Sequence, residues 1–236
     1  MANKVKRTRA GDHGAPQNIP PVKITKADVA RQKILTAART IFARYPYHSA
    51  SIRMVGNEGG FDHPIINYYF PTKAALFEAV LAEICEEFFQ ANLSWFSGLD
   101  RMTPLDGLSL YIDRFLDYNC KNPSLLRIIM LNFVQSNTLD ELPGHQHIHT
   151  MLRETRRTFE GNIPLRAKPE AIGMFIHSFN MLVMNFLGAG DCQAQVLGME
   201  PGSNAYRVWV KDALIFIFYS HLKKLIFPDQ DEKTSD

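Results

Sequence analysis

Between Ala27 and Arg44 the apolar residues Ile34, Leu35, Ala38, Ile41 and Phe42 return at steps of three and four, the spacing that lines one face of an α-helix. Tyr45-Pro46 ends that stripe, because a proline cannot be continued into from within a helix. A polar loop follows, and Ser51 is placed to cap a brief helix running to about Glu58, where Gly59-Gly60 breaks it. Asp62 then caps a third short helix to about Tyr69, with Pro64 in its first turn, where a missing amide proton costs little. Pro71-Thr72 punctuates again, and Lys73 begins a long helix reaching roughly Phe96. Further helices are predicted at about 104–120, 123–136, 146–161, 168–188 and 204–227. No segment sustains the period-two alternation of a half-buried strand, and no internal repeat is present. The chain reads as all-α: a basic arm predicted to be disordered over 1–26, a tri-helical domain over 27–72, a larger helical domain over 73–228 and a polar tail over 229–236.

Composition adds three constraints. With 236 residues and 46% hydrophobic content, the chain has room for a small and a larger domain, and apolar surface remains for a partner. Charge is spread unevenly: residues 1–73 hold 12 Lys and Arg against 4 Asp and Glu, whereas the remainder holds 14 against 20. A basic first third on an acidic body points to a polyanion, although without the arm the excess shrinks to 6 against 3. Cys85, Cys120 and Cys192 are far apart, lie in apolar helical text and form no CxxC pair, which fits a reducing cytoplasm. The N-terminus lacks the apolar core of a signal peptide. Residues 171–188 carry no charge, but they include His177, Ser178, Asn180 and Asn185 and are short for a membrane span, so they read as a helix buried within a core or between subunits. No HExxH, GxSxG or Walker A sequence occurs, nor the Glu-x-x-His pairs of a di-iron bundle. An enzyme is not expected, nor a cofactor.

Three short helices with a Gly-containing turn between the second and third form the helix-turn-helix pattern. A recognition helix presents its N-terminal side chains to base edges in the major groove, which selects His63, Pro64, Asn67 and Tyr68. Asn67 can pair bidentately with adenine, and Ile65 can meet a thymine methyl beside Pro64; Ile66, Tyr69 and Phe70 are expected to face inward. Helix N-termini and long cations bind phosphate, which selects Ser51 and Arg53 on the second helix and Thr72 and Lys73 at the start of the fourth. On this reading, loss of Lys73 lowers the salt dependence of DNA binding by about one unit. The stretches ILTAARTIF, SIRMVGNEGGFDHPIINYYF and PTKAALFEAVL resemble, in order and spacing, the three blocks of the N-terminal domain of the TetR family. That resemblance assigns the same positions to DNA contact and implies a dimeric transcriptional regulator, most often a repressor. The chain departs from the family pattern at Asn67, where a tyrosine is common, at Gly56, where alanine is usual, and at Tyr45-Pro46, where the family turns on a glycine. Glycine in a helix costs about 0.5–1 kcal/mol, which would make the motif more pliable.

The helices over 168–188 and 204–227 are apolar on nearly all sides, and paired with their copies they would form the two-fold, four-helix interface that TetR-like proteins use. Two recognition helices about 34 Å apart then match a near-palindromic operator in double-stranded DNA. Between head and interface, Tyr111, Phe115, Tyr118, Met130, Phe133 and Met151 suit a pocket for a small apolar or aromatic ligand. His145 and His149 would share a helix face with His147 nearby, but no third metal ligand is fixed in sequence, so a metal is not assigned. A second reading has the larger domain answer to a protein partner through the loop from Asn137 to His147 or the tail, or act constitutively.

Overall fold

Thr25 opens the first helix: its hydroxyl accepts from the Asp28 amide while the Asp28 carboxylate accepts from the Thr25 amide, a reciprocal capping box. The helix it starts, α1 (Lys26–Arg44), begins one residue before the apolar stripe indicated and ends at Tyr45, as the Tyr-Pro pair requires. The structure is a computed structural model that describes residues 25–136 and 138–228. The predicted tail and nearly all of the predicted arm lie outside those residues.

Among the described residues the fold is all-α, with a head of one long and two short helices on a larger helical body. The head comprises α1, α2 (Ile52–Gly59) and α3 (His63–Tyr69). Ser51 Oγ accepts from the Met54 amide at the start of α2, and Gly60, at φ 70°, takes the left-handed conformation that turns the chain toward α3. Asp62 occupies the N-cap of α3 but makes no side-chain capping bond. The usual alanine of α2 is absent for a steric reason: a Cβ on Gly56 would lie 2.6 Å from the carbonyl oxygen of Phe61, whose amide donates to Gly56 O at 2.9 Å. The glycine therefore tightens the turn between α2 and α3, where the sequence suggested pliability.

The body begins with α4 (Lys73–Trp95), about 35 Å of helix at 1.5 Å per residue. It continues with α5 (Pro104–Lys121), α6 (Ser124–Phe133), α7 (His145–Asn162), α8 (Pro169–Val183), α9 (Gly190–Val196) and α10 (Asn204–Ile226). Two boundaries differ from the sequence reading. The expected helix over 123–136 stops at Phe133, and the one over 168–188 passes at Met184–Gly188 into a π-helical turn followed by the unanticipated α9. Close packing fixes that turn, since a Cβ on Gly188 would meet Leu126 O at 2.8 Å and Met130 Cβ at 3.0 Å.

One apolar core runs from head to body without a break. Phe42 of α1 meets Phe77 of α4 edge-on with ring centroids 4.7 Å apart, and Ile34, Val55, Ile66, Leu76 and Val80 are fully buried around them. Burying side chains of this size stabilises by roughly 1.5–3 kcal/mol each, which locks the head onto the first turns of α4. Pro169–Gly188 is long and apolar enough to cross a membrane, and a third of its most apolar stretch is buried within the single chain.

Candidate DNA-binding face and ligand cavity

Ile66 of α3 and Phe70 at its C-cap point inward, both buried, while Tyr69 is half-buried. The opposite side presents His63, Pro64 and Ile65, all exposed, with Tyr68 82% exposed at the far end. Asn67 lies between them, its Nδ2 3.1 Å from His63 Nδ1. The four side chains selected from sequence on this helix thus share one outward face, supported from behind by an apolar anchor one turn long.

Ser51 and Thr72 are exposed helix caps, their hydroxyls accepting from the Met54 and Ala75 amides, and Arg53 is exposed on α2. Lys73 is placed differently. Its ammonium donates to Tyr47 O at 2.8 Å and Ala50 O at 3.0 Å, approaches His48 O at 3.5 Å and lies 4.4 Å from the centre of the Tyr47 ring. These contacts satisfy the carbonyls of the loop between α1 and α2, which no helix or sheet ladder serves.

The same loop is held from its other side by a residue the sequence reading did not select. The Tyr47 amide donates to Asn132 Oδ1 at 2.8 Å, and Asn132 Nδ2 donates to Ile128 O at 2.7 Å; Asn132 is 1% exposed. Nearby, the Arg39 guanidinium donates to Ser124 Oγ and pairs with Glu87 at 2.8 Å. A lone asparagine within the apolar run IIMLNF was the available signal, because a buried amide requires partners.

Deep in the body, a cavity of about 200 Å³ opens between the N-terminus of α5, the C-terminal end of α7, α8 and the end of α10. Its wall is mostly aromatic and aliphatic, with Phe96, Tyr111, Phe159, Phe175 and Phe179 prominent. Of the six ligand candidates only Tyr111 lines it. Phe115, Phe133 and Met151 border a smaller cavity of about 50 Å³, Tyr118 packs on Phe88 and Trp95, and Met130 abuts Gly188. The displacement has a physical cause, since the middle of α5 is taken up by an aromatic cluster of Phe88, Trp95, Phe115 and Tyr118, leaving room only toward its first turns. Burial pushes the Tyr111 hydroxyl up to about 12, against a smaller opposing effect of its bond from Asn92 Nδ2 at 3.0 Å.

The histidines at the start of α7 turn toward carboxylates: His145 Nε2 is 3.5 Å from Asp140 Oδ1, and His147 Nε2 is 3.8 Å from Glu78 Oε1. Among the described residues no three metal-ligating side chains gather. Gln146 also donates to Glu78 at 2.6 Å, so this end of α7 is seated on α4.

A family model described as "Bacterial regulatory proteins, tetR family" matches residues 34–80, the segment from mid-α1 into α4. The HTH-type transcriptional regulator RutR of Escherichia coli is 30% identical over 125 residues, 52% of this chain and 58% of RutR, so the match spans less than two thirds of that relative. The HTH-type transcriptional repressor NicS of Pseudomonas putida is 25% identical over 159 residues, 65% of this chain and 69% of NicS. Among solved structures, the fatty acid degradation regulator FadR of Bacillus halodurans superposes with a TM-score of 0.58 at 16% identity, covering 85% of this chain and 96% of that one. The FadR of Bacillus subtilis, solved in complex with stearoyl-CoA, gives 0.56 at 16% identity, covering 83% and 97%. At such identities the likeness is one of fold.

Proposed function

Because this chain belongs to the TetR family of bacterial transcriptional regulators, we propose that it works as a homodimeric repressor, bound to a near-palindromic operator and released by a ligand in the body. The observation that carries the reading is the two-sided α3: Ile66 and Phe70 sealed into the head, His63, Pro64, Asn67 and Tyr68 outward together. These four are assigned to base edges and nearby backbone, and Ser51, Arg53 and Thr72 to phosphate. Lys73 enters as the cation that holds the α1–α2 loop leading into Ser51 and Arg53. Dimerisation is assigned to α8 and α10, whose outward sides expose Met174 (66%), Val208 (48%) and Phe216 (87%), an apolar surface that a second copy would cover.

Release follows from position. The cavity is walled by α5, α7, α8 and α10, and α7 is seated on α4, the helix that carries the head. A ligand that binds one spacing of the two heads better than the other shifts the population by that difference in affinity. Selection of bound sequences from random duplex DNA by the purified full chain tests the proposal. The expected product is a palindrome whose half-sites sit about one helical turn apart. In the same assay Asn67→Ala alters preference at one base of each half-site by about 1–3 kcal/mol. Absence of any enriched sequence at low salt, with a folded dimer, would overturn it.

A further inference from the structure

We infer that the body cavity takes an uncharged ring compound bearing one hydrogen-bonding group, which Thr155 receives, and that it turns away carboxylates. This rests on the reading of the body as a ligand-sensing domain and gives that ligand a chemical class. Size sets the first bound: an apolar cavity of roughly 150 Å³ admits benzene, so about 200 Å³ admits a ring system with a small substituent. Phe96, Tyr111, Phe159, Phe175 and Phe179 supply aromatic faces and edges for it.

Charge sets the second bound. Among the described residues no lysine, arginine or histidine lines the cavity, whose ionisable side chains are Tyr111 and Asp100. Tyr111 stays protonated at neutral pH, its hydroxyl held at about 12 by burial. Asp100 stands at the rim, 71% exposed, with Arg101 Nε 3.8 Å from its carboxylate; that guanidinium is 88% exposed and does not line the cavity, so it gives a ligand inside no buried cation. A carboxylate drawn inside would lose its water and gain no cation, an arrangement that proteins avoid.

The third bound is an unanswered hydroxyl. Thr155 of α7 is 8% exposed, and its Oγ1 is buried with no hydrogen-bond partner among the described residues. Helical threonines ordinarily donate to the carbonyl four residues back, as Thr36, Thr40 and Thr158 do here. Thr155 does not, and it stands with Asn180 in the wall shared by this cavity and the one of about 50 Å³ beside it. Buried polar groups of this kind are rare unless something else completes them.

Calorimetric titration of the full chain without DNA, at pH 7, with 2-naphthol, naphthalene and 2-naphthoate separates these terms. The expected result is binding of 2-naphthol, with 2-naphthoate at least tenfold weaker. Thr155→Val should weaken 2-naphthol about three- to tenfold, the range a single hydrogen bond spans, and leave naphthalene unchanged. Thr155→Ser, which keeps the hydroxyl, should restore the 2-naphthol affinity. The inference is overturned if 2-naphthoate binds as tightly as 2-naphthol, if Thr155→Val weakens both neutral probes equally, or if none of the three binds. Because no DNA is present, any of those results leaves the operator-selection experiment, and with it the regulator reading, standing on its own outcome.

Discussion

A lysine at the first position of a helix has two uses, reaching outward to a phosphate or folding back onto nearby carbonyls, and its four-carbon stem serves either. In this head Lys73 folds back, onto Tyr47 O and Ala50 O. Lys73→Met, which keeps the stem and removes the donors, should lower the unfolding free energy by about 1–3 kcal/mol in a denaturant titration. It should also change the salt slope of operator binding by less than that of Arg53→Ala, for which about one unit is expected. Cysteine 85 offers a second contrast at this scale. Burial pushes the Cys85 thiol up to about 12, so at pH 8 it remains the unreactive neutral form, whereas Cys120 and Cys192 are exposed. A chromogenic disulfide reagent should therefore titrate two thiols in the folded chain at pH 8 and three after denaturation. Three fast-reacting thiols in the folded chain would contradict the packing around α4.

Helix α6 connects what the other elements keep apart. Its last turn gives Asn132 to the loop between α1 and α2, its first gives Ser124 to Arg39, and its middle packs on the π-helical turn after α8. This helix of ten residues therefore touches both the head and the π-helical turn of the body. Asn132→Ala leaves the Tyr47 amide without its acceptor, and a loss of about 1–3 kcal/mol in stability is expected. Because the loop it releases leads into Ser51 and Arg53, proposed to contact phosphate, operator affinity should fall in a binding titration while affinity for 2-naphthol is retained. Equal loss of both would mean that the whole body had loosened.

At the scale of the molecule, the single chain leaves an apolar surface on α8 and α10 that a second copy is proposed to cover. Phe216, 87% exposed in the middle of α10, is the side chain whose exposure is hardest to reconcile with a monomer in water. Phe216→Lys should convert a dimer into a monomer in analytical ultracentrifugation at micromolar concentration. Operator affinity should fall with it, because a single recognition helix reads only one half-site. A variant that remained dimeric and bound DNA unchanged would move the interface elsewhere.

The periodic stripe of α1, the Ser51 cap, the Gly59-Gly60 break and Pro64 in the first turn of α3 made the head legible from the chain alone, because each is a local rule acting within a few residues. The same locality explains why the outward face of α3 could be listed before the fold was known: the inward residues of so short a helix are fixed by its apolar positions. What lay beyond reach depended on partners distant in sequence. The direction of Lys73, the pairing of Asn132 with Tyr47, the need for glycine at 56 and 188, and the place of the cavity all follow from segments that meet only after folding. Aromatic residues on α5 looked like pocket walls because composition does not distinguish a filled space from an empty one; tertiary packing filled the middle of α5 with rings and left the cavity at its first turns.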